Sequence, residues 1–366
     1  MNNTTTNKNK LSILDKLRGI FAIPAVRIIF ILFVSGIVLV APQIVNLYIL
    51  RVLILMGFYM VLALSLNLIT GYLGEVSLGH AAFYAVGAYT AVLLVKDAGW
   101  SYETAVLASV ALTGFLGFLL ALATMRVSGT YQCVLTIAFF YLTMSVILNW
   151  ADVTHGAYGI NGINPARLFG VSFDMQNKGY YYCVFAYVAL AVLISYLLIN
   201  SRYGRAIKAY REDALASTMV GINNQTYRRL VYTISGALAG LAGSLYGPFL
   251  GWLDPKTFTY DMCLMTLLMV LVGGRGTIGG VLVGCMIISP LGEVLRKITD
   301  LMKGSPINFI RDPDQWRFVI YGIILVVIMR VRPQGLLGGL DKSDYRFQRG
   351  VKLPNKEASE HGTAGN

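Results

Sequence analysis

The sequence predicts an all-α, polytopic integral membrane protein of about ten transmembrane helices, or eight to nine if some segments only re-enter the bilayer. Three observations carry this. Residues are 56% hydrophobic and only 13% charged, where soluble domains run nearer a quarter charged. Apolar runs recur at the length a bilayer demands, since a helix needs about 20 residues to cross about 30 Å of hydrocarbon. Finally, the Lys and Arg behind the net charge of +12 sit between those runs, as in membrane-protein loops. That placement also excludes nucleic acid as a partner, because a nucleic-acid binder gathers its basic residues on one wet face.

The runs fall at roughly 28–46, 48–70, 78–95, 103–125, 130–150, 181–200, 229–250, 260–274, 277–292 and 316–333. Residues 1–27 read as a cytoplasmic leader. They are polar, then basic, and the run that follows is too long for a signal-peptide core and stays in the bilayer. Counting crossings from inside puts Lys8, Lys10, Lys16, Arg18, Arg126, the loop of about 201–228 and the chain beyond Arg330 on the cytoplasmic side. Both termini are then cytoplasmic. The weak points are 293–315, basic yet external in this scheme, and 260–274, short for a full span. The loop of about 151–180, rich in Gly, Asn and aromatics, suits the external side, as a passive connector or as a place for a soluble partner to dock. Residues 339–366 are polar, without apolar periodicity, and are expected to form a disordered cytoplasmic tail. The permease domain is thus bounded at 28–338.

Glycine spacing has a packing meaning in lipid, where small residues let helix backbones approach. Gly236, Gly240, Gly243, Gly247 and Gly251 read as one such seam. Two further clusters differ. In "NLITGYLGEVSLGHAAFYAVGAYT" Gly71 and Gly74 interrupt an apolar run beside Glu75, Ser77 and His80, and in "LVGGRGTIGGVLVG" Gly273, Gly274, Gly276, Gly279 and Gly280 surround Arg275. Irregular backbone and ionisable groups at membrane depth belong where protein buries them or water reaches them. Glu75, Ser77, His80 and Arg275 are therefore candidates for a translocation path. The plainer alternatives are helix capping at the interface for Glu75 and Arg275, and a hydrogen-bonded packing histidine for His80.

Other chemistry is missing from the pattern. Cys133, Cys183, Cys263 and Cys285 lie far apart without metal-ligand or redox spacing and read as small packing residues. There is no HExxH, no GxSxG elbow and no GxxxxGK[ST] phosphate loop, so the sequence implies no catalytic residues, no metal site, no cofactor and no internal source of energy. The core helices also lack the several charged groups expected of a proton-coupled carrier.

One polar stretch remains, "SRYGRAIKAYREDALASTMVGIN" (201–223). It reads as a non-inserted cytoplasmic helix from about Arg202 to Val220, closed by Gly221. On charge alone it could be a solvated loop with snorkelling arginines.

Four blocks, "GYLGEVSLGHAAFYAVGAYTAVLL", "SRYGRAIKAYREDALASTMVGINNQTYRRLVYTISGALAGLAGSLYGPF", "LVGGRGTIGGVLVG" and "VIMRVRPQGLLG", resemble in sequence and order the permeases of branched-chain amino acid ABC transporters of the LivM type. The resemblance covers most of 48–338. It implies that the polar stretch is a short cytoplasmic coupling helix that fits a groove on an ATPase subunit, through Arg211, Glu212, Asp213, Ala214, Leu215, Ala216, Ser217, Gly221, Ile222 and Asn223. Leu215, Ala216 and Ser217 stand where the general importer pattern has Glu, Ala and Ala, so the glutamate is missing. Small side chains at 214, 216 and 217 would permit close docking, with Arg211, Glu212 and Asp213 as rim charges.

The same resemblance implies the partners: a second related permease, two ATP-binding cassette ATPases, an external substrate-binding protein and the lipid bilayer. It implies an ATP-driven importer subunit in a prokaryotic inner or plasma membrane that forms half the path and hydrolyses nothing itself. Related permeases also serve urea and short amides. A reading of another class, a self-sufficient secondary carrier or channel, would lean on Glu75 and His80.

Overall fold

The computed structural model describes residues 42–43, 45–127, 129–168, 171–173, 178–302, 313–331 and 335–337. The leader expected over 1–27, most of the run at 28–46 and the tail at 339–366 lie outside the described residues. The chain is a bundle of apolar helices. Among the described residues, six helical stretches are long and apolar enough to cross a membrane: Leu47–Leu73, Tyr102–Thr124, Thr130–Asn149, Gly179–Asn200, Asn224–Leu250 and Pro255–Gly273. Shorter apolar helices lie at His80–Lys96, Ile278–Val294 and Val319–Ile328. Each coincides with a run read from the sequence.

In chain order, α1 (Leu47–Asn67) passes into a π-helix (Leu68–Leu73), and α2 (His80–Lys96), α3 (Tyr102–Thr124) and α4 (Thr130–Asn149) follow. A short turn, α5 (Ala151–Thr154), opens a loop that leads to α6 (Gly179–Asn200). Two polar helices, α7 (Arg202–Glu212) and α8 (Ala214–Met219), precede the long α9 (Asn224–Leu250). The bundle closes with α10 (Tyr260–Gly273), α11 (Ile278–Met302) and α12 (Pro313–Val331). The expected edge of α11 at 292 falls short by ten residues, because the helix continues past Pro290 through "VLRKITDLM".

The long helices run back and forth between two ends. One end holds the turn after the π-helix, the link from α3 to α4, the polar helices and the turn between α10 and α11. The other holds the α5 loop and the end of α9, which small antiparallel strands tie together: β1 (Ile160–Asn161) pairs with β4 (Trp252–Leu253). A second pair, β2 (Arg167–Leu168) with β3 (Val171–Ser172), lies within the loop. These strands depart from the all-α expectation. Backbone groups in a loop whose Gly and Asn residues disfavour helix still need partners, and pairing supplies them. Lys96 Nζ donates to Asn161 O at 2.6 Å and joins α2 to the same loop.

Burial follows the solvent. From Ile54 onward α1 is buried on nearly every side, whereas α4 leaves Tyr131, Val134, Tyr141 and Leu142 exposed. Exposed apolar faces of this extent are what hydrocarbon solvates. Between helices, where lipid provides no hydrophobic drive, close approach does the packing. α9 meets α3 and α2 through its glycine seam: Gly236 lies on the Thr113 backbone, Gly240 on the Thr113 side chain and on Gly87, and Gly243 on the Tyr84 backbone. Ser109 Oγ closes the seam, donating to Gly87 O at 2.9 Å and to Gly240 O at 3.3 Å. Gly251 is not part of it. It lies beyond the last residue of α9 and ends the helix.

Candidate functional site

The site grows from a break in α1. The sequence LITGYLG cannot continue as an ordinary helix, because Gly74 takes φ +85°, a left-handed value that a side chain would strain. The chain turns there and delivers Glu75 to the bundle end, where its side chain is 9% exposed. A buried carboxylate is costly unless paired and hydrogen-bonded. Arg228 of α9, 8% exposed, supplies the charge, with Nε at 2.9 Å from Oε1 and 3.0 Å from Oε2. Tyr210 Oη of α7 donates to Oε1 at 2.7 Å, and Tyr232 Oη of α9 donates to Oε2 at 2.9 Å. Gln132 of α4 adds its amide N–H to the same carboxylate. One ion therefore gathers the end of α1, α4, α7 and α9. Burial, and then the neighbouring Glu75 charge, push the Tyr210 phenol up to about 12, so it remains a donor at neutral pH.

The two glycine clusters of the sequence meet beside this ion. Asn67 Oδ1 accepts from Gly276 N at 2.9 Å, and Gly71 lies against that contact with no room for a side chain. Arg211 of α7 lies across both turns. A methyl carbon on Gly74 would stand 3.0 Å from its Cγ, and one on Gly276, whose φ is +76°, 2.9 Å from Nη1. The segment 335–337 joins them, since Leu336 N and Leu337 N donate to Val272 O and Gly273 O at 2.9 and 3.0 Å. All four resemblance blocks thus contribute to one end of the bundle.

The polar stretch is not the single helix expected over Arg202–Val220. Asp213 adopts φ −154°, ψ 109° and separates α7 from α8. Its carboxylate, exposed like the side chains of its neighbours, also caps α8: Oδ1 accepts from Leu215 N at 2.8 Å and Ala216 N at 2.9 Å. Such a cap stabilises a helix by about 1 kcal/mol. Ser217 is turned inward, its Oγ bonded to Ala214 O and paired with Asn224 Oδ1 at 2.9 Å. Gly221 and half-buried Ile222 make the turn into α9, and Asn223 caps α9 by accepting from Thr226 N at 3.4 Å. Arg211, Glu212, Ala214, Leu215 and Ala216 are exposed. What the tip shows to its surroundings includes an apolar knob, with Leu215, Met219 and Val220 at 70%, 79% and 81% exposure.

The remaining path candidates separate. His80 is fully buried between α1 and α9, with Nε2 at 2.6 Å from Ser65 Oγ, its ring edge-on to Phe83 and its Nδ1 without a partner among the described residues. Ser77 is buried in the turn before α2, its hydroxyl without a partner among the described residues. Arg275 is exposed on the turn between α10 and α11.

Sequence reasoning missed Gln132, Tyr210, Arg228, Tyr232, Met219 and Val220. For Arg228 a signal existed: a cation near the start of an apolar helix needs an anion, and Glu75 was already conspicuous.

Apolar spans, glycine seams and a polar helix pair held on one end by a buried ion pair define a multi-pass membrane protein of the transporter kind. A family model described as "Branched-chain amino acid transport system / permease component" matches residues 48–329, and the chain belongs to this family. It is 30% identical to the high-affinity branched-chain amino acid transport system permease protein LivM of Escherichia coli K12, over 76% of this chain and 67% of that protein. Identity to LivH of the same organism is 24%, over 76% of this chain and 91% of LivH. A probable LivM of Methanocaldococcus jannaschii is 24% identical over 78% of this chain and 92% of its own length. No solved structure matches.

Proposed function

We propose that the chain is the permease subunit of an ATP-driven ABC importer for branched-chain or similar amino acids, and that it forms half of a translocation path in a prokaryotic plasma membrane. The α7–α8 tip docks on a separate ATPase subunit. The observation that carries this reading is the tip itself. It is a capped pair of helices that leaves Leu215, Met219 and Val220 uncovered at the end of a chain whose family is a transport permease component. An apolar knob rimmed by Arg211 and Glu212 suits a groove in a soluble partner, with the charges setting register.

Orientation follows from charge. The tip end carries Arg126, Arg202, Arg205, Lys208, Arg211, Arg229, Arg275 and Arg330 against Glu212 and Asp213, while at the strand end Lys96, Arg167, Lys178 and Lys256 are balanced by Asp97, Glu103, Asp152 and Asp254. The positive-inside rule then makes the tip cytoplasmic and the strand-tied loop external, available to a substrate-binding protein. Similarity to both LivM and LivH of one organism supports pairing with a second, related permease. The carrier reading draws less support, because Glu75 and His80 each have internal partners.

Co-purification and uptake test the docking. Leu215→Glu with Met219→Glu places two charges on the knob without touching the Asp213 cap. The expected result is loss of ATPase subunits from the purified membrane complex and at least about a tenfold fall in ATP-dependent leucine uptake, on the scale of lost interface anchors. Full retention of ATPase by the double variant would place the docking surface elsewhere.

A further inference from the structure

The family reading makes the tip a docking surface but leaves open how its position is passed to the helices that must move. α7 reaches the bundle at several points: Gly204 lies on the Ile199 backbone at the end of α6, and Tyr203 lies against Tyr227 of α9. Ile207 is fully buried, the Arg211 side chain lies over Gly74 and Gly276, and Tyr210 donates its phenol to Glu75 at 2.7 Å. Of these only the last ends on a buried charge. The same carboxylate is held by Arg228 and Tyr232 of α9 and Gln132 of α4, and it belongs to the segment directly after the π-helix of α1.

Such an arrangement is stiff where it is bonded. A carboxylate only 9% exposed gives up a donor at a cost, because little water reaches it to take the donor's place. It is compliant next door, since a π-helical turn is an irregular register that interrupts an α-helix, and such turns recur at functional sites. Displacing α7 must therefore either cost the carboxylate a hydrogen bond or carry the end of α1 along.

We propose that Tyr210 and Glu75 are positioning residues that tie the docking tip to the π-helical end of α1, so that movement of the tip on its partner is converted into movement of the central helix. This rests on the ABC importer reading. Its particular content is that one phenol-to-carboxylate bond, rather than the general packing of α7, carries the conversion.

The test uses the full complex, in which the chain is assembled with its sister permease, ATPases and binding protein in proteoliposomes and supplied with radiolabelled leucine and ATP. Tyr210→Phe removes one hydroxyl and leaves the Glu75–Arg228 pair in place. The expected result is normal assembly, ATP hydrolysis within about twofold of wild type, and about tenfold less leucine moved per ATP, the factor a hydrogen bond to a charge carries. The double variant Glu75→Gln/Arg228→Met, which removes both buried charges together, is expected to assemble and to show the same low ratio. Wild-type leucine per ATP in Tyr210→Phe overturns the inference and leaves the importer reading standing. Uptake and hydrolysis that fall together, in proportion to assembled complex, also overturn it, because the bond is then structural only. Absence of ATP-dependent uptake by the wild-type complex overturns the importer reading, and the inference falls with it.

Discussion

Arg228→Met is expected to deplete folded chain from the membrane more than any other conservative substitution at this end of the bundle. Removing the cation leaves the Glu75 carboxylate buried with three neutral donors and no counter-charge. Breaking a buried pair from one side costs about 3–5 kcal/mol, because the surviving charge keeps its desolvation penalty and loses its attraction. Adding Glu75→Gln should restore most of the loss, since a pair removed as a unit is often nearly neutral. Thermal unfolding in detergent, read as the fraction remaining monodisperse after heating, measures both. The diagnostic is the sign of the second step. If Glu75→Gln added to Arg228→Met lowers stability further, the carboxylate was not relying on Arg228.

The second large effect is expected at Gly71. Two backbones touch here: Gly71 lies against Asn67 Oδ1 and Gly276 N, and the hydrogen bond between those two atoms links the π-helix to the turn after α10. Gly71→Val must push the turns apart. Overpacking of this kind costs about 1–3 kcal/mol, and the broken buried hydrogen bond adds about 1–3 kcal/mol. The displaced turn would also withdraw Gly276 from beneath Arg211. Transport should therefore fall even in the fraction that remains folded. Comparison with Gly279→Val separates this contact from glycine substitution in general, since nothing lies within 4 Å of the site at Gly279. Equal loss in the two variants would contradict the close approach.

Which parts of this could be read beforehand depends on the range of the interaction. Spans at 103–125, 130–150 and 181–200 were visible because length and hydropathy are local, and their helices end within a few residues of those limits. The irregular turns at Gly71–Gly74 and Gly273–Gly276 were visible as breaks, also a local property. That they touch was not visible, because the contact joins positions 67 and 276 through one amide oxygen. The ion cluster failed for the same reason. Gln132, Tyr210 and Tyr232 are unremarkable in their own helices and acquire a role only when α4, α7 and α9 converge on Glu75. Asp213 is a different lesson. Its cap lay within the window, an Asp directly before ALAS, but the run of helix-favouring residues on both sides argued for continuity, and the local side-chain competition for backbone N–H groups won.

The measurement that bears most directly on the account is the sidedness and partner of the tip. In a chain whose four cysteines are replaced by alanine, Met219→Cys puts one thiol on α8 at a position that is 79% exposed. The account predicts that a membrane-impermeant maleimide leaves it unlabelled in intact cells and labels it in inverted vesicles, and that a short bifunctional crosslinker joins it to an ATPase subunit. Labelling of that thiol from outside intact cells would contradict the account at its root, because no cytoplasmic motor could then reach the helices on which everything else depends.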